Sequence, residues 1–256
     1  MDSLSQFSLA GKRALITGSS RGIGFAIAAA LAGAGADIIL NSRDPETLGK
    51  ATADLADSGA RARAVAFDVT NSESVNDAVE FVERDIGPID ILVNNAGMQF
   101  RAPLEEFPED KFERIMSANV TSVYLVGQAV AKRMIPRGAG KIVNICSLMS
   151  AVARPSIAPY AASKAAVANL TRAMATEWAR HGLNVNGIAP GYFKTELNEA
   201  LVKDPEFSAW IGRRTPMGRW GEVAELGGAA IFLSSDAASF VNGHILYVDG
   251  AFMATV

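Results

Sequence analysis

Short apolar runs of strand length alternate with longer stretches whose apolar positions recur at helical spacing. Arg13–Ile16, Asp37–Asn41, Ala62–Asp68, Ile89–Asn94, Lys141–Ser147, Asn184–Ile188 and Ile245–Val248 read as strands. The interior ones are nearly continuous in apolar residues, as strands covered on both faces must be. A small-residue helix is predicted from about Ile23, and a second where Asp44 stands as N-cap before Pro45. Thr70-Asn71-Ser72-Glu73 reads as a capping box opening a third helix to about Asp85. This rhythm predicts one α/β domain over residues 1–256, a parallel sheet of about seven strands with helices on both faces. The rhythm breaks between Tyr192 and Trp220, where Gly212, Gly218, Pro205 and Pro216 replace a simple crossover. An excursion of that length is expected to be functional, and a lid over the strand ends is the reading adopted for 192–220.

Composition narrows the function. Lys+Arg 24 against Asp+Glu 27 gives a net charge of −3 with no long basic run, so no nucleic-acid partner is expected. The single cysteine, Cys146, cannot make an internal disulfide, and two histidines, His181 and His244, cannot build a usual zinc site, so no metal is expected. The most apolar stretch, Ile23 to Leu40, is broken by Gly33, Gly35 and Asp37, which excludes a membrane span there. Met1 to Gln6 lacks the charged start and apolar run of a secretion signal, so a cytoplasmic protein is expected.

After the first predicted strand comes Thr17-Gly18-Ser19-Ser20-Arg21-Gly22-Ile23-Gly24. Strand, glycine-rich turn and helix are the context of a dinucleotide site in a Rossmann-type, doubly wound sheet. Glycines let the backbone approach a pyrophosphate, and the helix start beyond them offers unpaired N–H groups. At the end of the second strand an acidic residue selects NAD and an arginine accommodates the extra phosphate of NADP. Ser42 and Arg43 stand there, and Arg21 could reach the same phosphate. Asp44, 20 residues past Gly24, is the competing acid, but its place before Pro45 marks it as a helix cap. NADP is therefore expected over NAD.

Tyr160 and Lys164 are four apart and share a helix face. A fixed positive charge favours a phenolate, which would make Tyr160 a general acid or base near neutrality. Ser147 ends a predicted strand at the carboxyl edge of the sheet, where such folds bind ligands, and Asn94-Asn95-Ala96-Gly97 closes the strand before it. Asn119 lies in the helical stretch that follows. These positions offer a hydroxyl for a carbonyl oxygen, an amide for a water and backbone beside a cofactor. Cys146 and the histidines read as packing or helix-end residues, and Met98, Met149 and Met217 as core or pocket lining.

With the Thr17–Gly24 turn, Asp68-Val69, Asn94–Gly97, Asn119, Ser147, Tyr160-x-x-x-Lys164 and Pro190-Gly191 with Thr195 in this order, the chain resembles the short-chain dehydrogenase/reductases over nearly its whole length. The resemblance implies that Tyr160 is the proton donor and acceptor, with Lys164 lowering its pKa and holding the nicotinamide ribose. It implies that Ser147 orients the substrate oxygen and that Asn119 sustains a water relay. Gly18, Ser20, Arg21, Gly22, Ile23 and Gly24 would line the pyrophosphate, Asp68 and Val69 the adenine, and Asn94, Ala96 and Gly97 the ribose region. The segment from Ile188 through Pro190 and Gly191 to Thr195 would meet the carboxamide. A homotetramer, built through the long helices and the C-terminal segment, is also implied. The apolar tail Phe240, Val241, Ile245, Leu246, Phe252 and Val256 fits that.

Within the family, Leu40–Arg43, Gly97–Arg101, Ser147–Ser150 and Ala153-Arg154-Pro155 are most similar to the gluconate 5-dehydrogenase branch, which implies a sugar acid or polyol as substrate, ketone and secondary alcohol being interconverted. A carboxylate calls for a bidentate arginine, and Arg101 and Arg154, with Gln99 beside the first, lie on loops leaving strand ends. Arg213-Arg214 is a weaker candidate. Two alternatives stay open: a 3-oxoacyl-carrier-protein reductase, for which Arg133 and Arg137 are the only hints of a docking patch, and a non-catalytic NADP-binding regulator, against which the full Asn119–Ser147–Tyr160–Lys164 set argues.

Overall fold

Chain order in the computed structural model, which describes residues 3–255, runs β1 (Arg13–Ile16), α1 (Gly22–Gly33), β2 (Asp37–Leu40), α2 (Pro45–Asp57), β3 (Ala62–Ala64), α3 (Ser72–Phe81), β4 (Ile91–Asn94), α4 (Glu109–Met116), α5 (Ser122–Met134), β5 (Gly140–Ile145), α6 (Ala158–Trp178) and β6 (Leu183–Pro190). Then come β7 (Phe193–Lys194), α7 (Glu199–Val202), α8 (Pro205–Arg214), β8 (Gly221–Glu222), α9 (Gly227–Ser234) and β9 (Ile245–Val248). Met1, Asp2 and Val256 of the segments read above lie outside the described residues.

Seven strands form one parallel sheet in the order β3-β2-β1-β4-β5-β6-β9. The chain winds outward from β1 to β3, then returns to lay β4 beside β1. That reversal opens a crevice at the carboxyl ends of β1 and β4, the place where doubly wound sheets hold ligands. Side chains alternate across the sheet. Ala14 and Ile16 of β1 pack with Ile27, Leu31 and Leu48 of α1 and α2, and with Ala230 and Leu233 of α9. Leu15 packs on the other face with the cluster that contains Val75 and Val79 of α3, Val126 and Val130 of α5 and Val167 of α6. Coverage on both faces is why the interior strands are apolar throughout.

Three local expectations shift. The third strand is shorter than Ala62–Asp68. β2 ends at Leu40, and the Asn41 side-chain amide then takes over from the ladder, donating to the Val65 and Phe67 carbonyls at 3.2 and 3.1 Å. The cap of α3 is Asn71, whose Oδ1 accepts from Ser74 N at 2.8 Å, while the Thr70 hydroxyl donates instead to Asp68. The regular helix ends at Phe81 and passes into a π-helical turn, Val82–Ile86. Asp44 does cap α2, accepting from Glu46 N at 3.1 Å. The excursion is pinned at its base by the β7–β8 pair, Phe193 opposite Gly221. Among the described residues no helix is long and apolar enough to cross a membrane.

Candidate active site

The first βα turn is built to bring backbone close. Gly18 has φ +60°, and a Cβ there would lie 2.8 Å from the Ala96 Cα; at Gly24 it would lie 2.4 Å from the Asn95 amide nitrogen. Gly22 also has positive φ, with open space where a side chain would be. Asn95 holds the turn from the neighbouring strand end, its Nδ2 donating to the Thr17 and Gly18 carbonyls at 2.9 and 2.8 Å. Thr17 Oγ1 accepts from the Asn95 and Ala96 N–H groups at 3.0 and 3.1 Å. On the other side the Gly18 N–H reaches Asn41 Oδ1 at 3.3 Å. Arg21 is extended at the start of α1 and places no side-chain cap on it, so the helix's first N–H groups face the crevice together with the half-buried Ser20 and Ile23. Arg21 itself pairs with Glu196 at 3.0 Å, both side chains largely in solvent.

At the end of β2, Ser42 Oγ donates to the Asp44 carbonyl at 2.9 Å, and Arg43 is exposed. Asp68 lies close enough to feel the Arg43 charge. Partial burial works against its ionisation, but hydrogen bonds from the Thr70 hydroxyl and N–H (2.7 and 2.9 Å) outweigh it and hold the carboxyl below its ordinary range. Val69 beside it is buried. Ala96 and Gly97 lie across the crevice from the turn, and Gly97 is closely approached, since a Cβ would sit 3.1 Å from Asn119 Oδ1 and press on that side chain. Asn94 points elsewhere. Its Nδ2 donates to Asn144 at 2.9 Å, and Asn144 donates to Thr171 at 2.9 Å, a buried chain between sheet and α6. The side chain expected at the ribose is thus turned into the protein, and the neighbouring Asn95 serves the turn.

Beyond β5, Ser147 caps a single 3₁₀ turn, Leu148–Ser150, with its Oγ accepting from Met149 N at 3.2 Å. Ser150 Oγ donates to the Lys164 carbonyl at 2.8 Å, tying this turn to α6. The Ser147 hydroxyl also meets the Tyr160 phenol. Lys164 is 6% exposed; its Nζ donates to the Ile145 carbonyl at 2.6 Å and lies 5.9 Å from the centre of the Tyr160 ring. Burial lowers the Lys164 amine to about 8. Burial also raises the Tyr160 phenol, a shift the Ser147 hydrogen bond opposes and the neighbouring Cys146 thiol reinforces. In this arrangement the Lys164 amine, though over the Tyr160 ring, is hydrogen-bonded to the Ile145 carbonyl, and burial is the largest influence on the phenol.

Asn119 lies in a π-helical turn, Ser117–Thr121, between α4 and α5, a feature often retained at functional sites. Its Nδ2 donates to Met98 O (3.0 Å) and Ser163 Oγ (2.9 Å), and its Oδ1 accepts from Met98 N (2.7 Å). Ser163 Oγ in turn donates to the Tyr160 carbonyl at 2.7 Å. The amide expected to hold a water is spent on joining the 97–98 loop to the helix that carries Tyr160.

On the far side, the Gly191 N–H donates to Val248 O at 2.9 Å, next to Pro190 at the end of β6, and a Cβ there would lie 2.7 Å from Asp249 Cα. Thr195 Oγ1 is buried without a hydrogen-bond partner, an acceptor and donor waiting for a polar group. Arg101, at the surface, and Arg154, half-buried, lie close enough to feel each other's charge. Burial, and then the Arg154 charge, lower the affinity of Arg101 for its proton. Ala102 N donates to Ser156 O at 3.1 Å, joining their two loops. Sequence reasoning missed Asn41, Asn95, Ser163 and Tyr192, a phenol lying beside both arginines. Arg214 proves structural, stacked 4.3 Å from the Phe252 ring centre and donating to its carbonyl. Among the described residues no three His, Cys, Asp or Glu gather as a metal site.

A glycine cradle, an uncapped helix start and an orphaned threonine hydroxyl fit a nicotinamide dinucleotide, and the half-buried Ser147 and Tyr160 with the buried Lys164 beside them define a dinucleotide-dependent oxidoreductase. The comparisons agree. Residues 18–252 match the family model adh_short_C2, described as Enoyl-(Acyl carrier protein) reductase. The chain belongs to the short-chain dehydrogenase/reductase family. It is 59% identical to a gluconate 5-dehydrogenase of Gluconobacter oxydans, over 95% of each chain. It is 54% identical to a 5-keto-D-gluconate 5-reductase of Escherichia coli, over 98% of each. A crystal structure of a gluconate 5-dehydrogenase from Burkholderia cenocepacia in complex with NADP and tartrate is similar at TM-score 0.97 and 53% identity, covering 99% of each chain.

Proposed function

We propose that this enzyme interconverts gluconate and 5-ketogluconate with NADP(H). The observation that carries the reading is the convergence of Arg101, Arg154 and a tyrosine, with no acidic partner for either arginine among the described residues, in a fold whose catalytic set handles a carbonyl. Two adjacent guanidinium groups repel, and a bound carboxylate relieves that repulsion while accepting from both. The identity to sugar-acid dehydrogenases over the full chain supports the same substrate class.

Gly18, Ser20, Gly22, Ile23 and Gly24 would receive the pyrophosphate, and Ser42, Arg43 and Arg21 the phosphate that distinguishes NADP. Asp68, Val69, Ala96 and Gly97 would line the adenosine side, and Pro190, Gly191 and Thr195 the carboxamide. When bound, the nicotinamide dinucleotide supplies the two-electron redox step. The chain supplies orientation and the proton. Ser147 donates to the substrate oxygen. Tyr160 takes the hydroxyl proton in oxidation and returns it in reduction, and the Lys164 ammonium over its ring would favour the phenolate when it forms. Asn119 keeps Tyr160 in register through Ser163.

We further propose a homotetramer of single-domain subunits in the cytoplasm, with 192–220 as a lid. Support for assembly comes from Phe240, fully exposed, and from Phe112 and Tyr124, nearly half-exposed on α4 and α5. A carrier-protein substrate is less well served, because Arg137 is already forked onto Glu83 at 2.6 and 3.2 Å and offers no free charge for docking. The test is NADPH oxidation with 5-ketogluconate against an acetoacetyl thioester. The keto acid is expected to react faster by orders of magnitude; the reverse order overturns the substrate assignment.

A further inference from the structure

The excursion carries an aromatic cluster with one phenol in it. Tyr192 packs against Phe207, Trp210, Trp220 and Phe252 with ring centres 5.4 to 5.9 Å apart. Three of those four contacts are edge-to-face, so the ring is held by shape as well as by area. A phenylalanine would satisfy this packing, and a hydroxyl in such surroundings is a cost unless it has a partner. Its partner is Arg154. The guanidinium acts on the Tyr192 phenol by charge and hydrogen bonding and lies over the Phe207 ring of the same cluster, its Cζ 5.2 Å from the ring centre. Arg101 contributes its charge from the adjoining loop.

We propose that Tyr192 is a positioning residue for carboxylate recognition: it fixes the Arg154 fork against the aromatic cluster and presents its own O–H to the same anion. The proposal deepens, and rests on, the sugar-acid reading above. Its chemistry follows from proton counting. Burial raises the Tyr192 phenol and the two arginines oppose the shift. A neutral phenol that accepts from Arg154 through a lone pair still has its own hydrogen to donate. Arg154, Arg101 and the Tyr192 O–H then converge as donors, matching the acceptor capacity of one carboxylate. Phe207, Trp210 and Trp220 of the cluster belong to the excursion and Phe252 to the C-terminal segment, so the same residue joins recognition of the substrate's charged end to the packing of residues 192–220.

The test compares gluconate with gluconamide, its neutral isostere, as substrates of the NADP⁺-saturated enzyme. The readout is the ratio of kcat/KM values for wild type, Tyr192→Phe, Arg154→Ala and the double variant, with melting temperature and NADPH affinity measured alongside. Wild type is expected to favour the acid. Tyr192→Phe should reduce that preference about 10-fold, chiefly through KM for gluconate. Arg154→Ala should reduce it at least as much, and the double variant should lose less than the product of the two single losses. Equal loss on both substrates would assign Tyr192 a packing role and overturn the proposal, as would multiplicative losses. A wild type that discriminates while Tyr192→Phe discriminates equally well overturns it alone. A wild type inert toward gluconate overturns the sugar-acid reading together with it.

Discussion

Lys164 lies over the Tyr160 ring but donates its hydrogen bond to the backbone, its Nζ 2.6 Å from the Ile145 carbonyl and 5.9 Å from the ring centre. The four-residue spacing on α6 brings the two side chains together as expected. The strand decides which way the amine points. Tyr160 therefore keeps its proton through neutrality, because burial disfavours the phenolate and only Ser147 works against that.

The first prediction concerns that proton. A phenol raised above its ordinary value is a ready acid for ketone reduction and must ionise before it can serve alcohol oxidation. With the dinucleotide saturating, kcat/KM for the alcohol should climb with pH through the alkaline range, while kcat/KM for the ketone stays level until the phenol titrates. Tyr160→Phe should lower kcat by at least about 100-fold and leave NADPH affinity, followed by fluorescence titration, nearly unchanged. A variant retaining a tenth of wild-type turnover would remove Tyr160 from the proton's route.

A second prediction uses linkage. Lys164 is lowered to about 8 in the fold from an ordinary 10.5. Below about 8 the fold carries a buried ammonium that the unfolded chain keeps in water. As pH rises through about 8 the folded amine loses its proton first, so the penalty fades until the unfolded amine also titrates near 10.5. The shift corresponds to about 3 kcal/mol of destabilisation at neutral pH. Lys164→Met removes it but orphans the Ile145 carbonyl, which costs roughly 1–3 kcal/mol in return. The informative quantity is the slope. In cofactor-free protein, wild type should gain stability relative to Lys164→Met between pH 8 and pH 10 in denaturant unfolding. A constant difference across that range would contradict the buried charge.

Much of the arrangement was legible because burial leaves a strong mark on sequence. Strands covered on both faces must be apolar, and the Tyr160–Lys164 spacing and the Gly18-to-Gly24 turn are local features. What was hidden depends on partners far along the chain. Asn94 and Asn95 are adjacent and chemically identical, yet one closes a chain to Asn144 and Thr171 and the other staples the glycine turn. Only knowledge of which strand end faces the crevice separates them. Asn41 looked like the last residue of a strand and instead bonds across to Gly18, Val65 and Phe67. Tyr192 sits in a stretch without periodicity, so nothing local linked it to Arg154. The direction of the Lys164 amine was equally invisible, since its acceptor lies 19 residues earlier.

The third prediction concerns the choice of cofactor. Arg43 is exposed at the end of β2 and the only nearby acid on the same turn, Asp44, is occupied in capping α2. Asp68 feels the Arg43 charge but forms no ion pair with it, so a solvent-open cation there favours a phosphate over a bare hydroxyl. Arg43→Ala should raise KM for NADPH about 10-fold with little change for NADH. Because the site is open to solvent, the difference should shrink as ionic strength rises. Equal effects on the two cofactors would move the selecting charge to Arg21.

Arg21 supplies the last prediction. It stands at the entrance to the glycine turn, and its guanidinium is taken by Glu196, one residue beyond the orphaned Thr195 hydroxyl. The pair is 3.0 Å long with side chains 74% and 62% exposed, so it is worth about 0.2–1 kcal/mol. A phosphate group arriving at α1 competes with that carboxylate for the same cation and is repelled by it. Glu196→Gln keeps the shape and removes the charge. It should tighten NADPH binding by about 2- to 5-fold at low ionic strength, with the gain disappearing in high salt. Tighter binding would identify the Glu196 contact as a latch that the cofactor displaces. Weaker binding would mean that Glu196 instead holds Arg21 in its productive position.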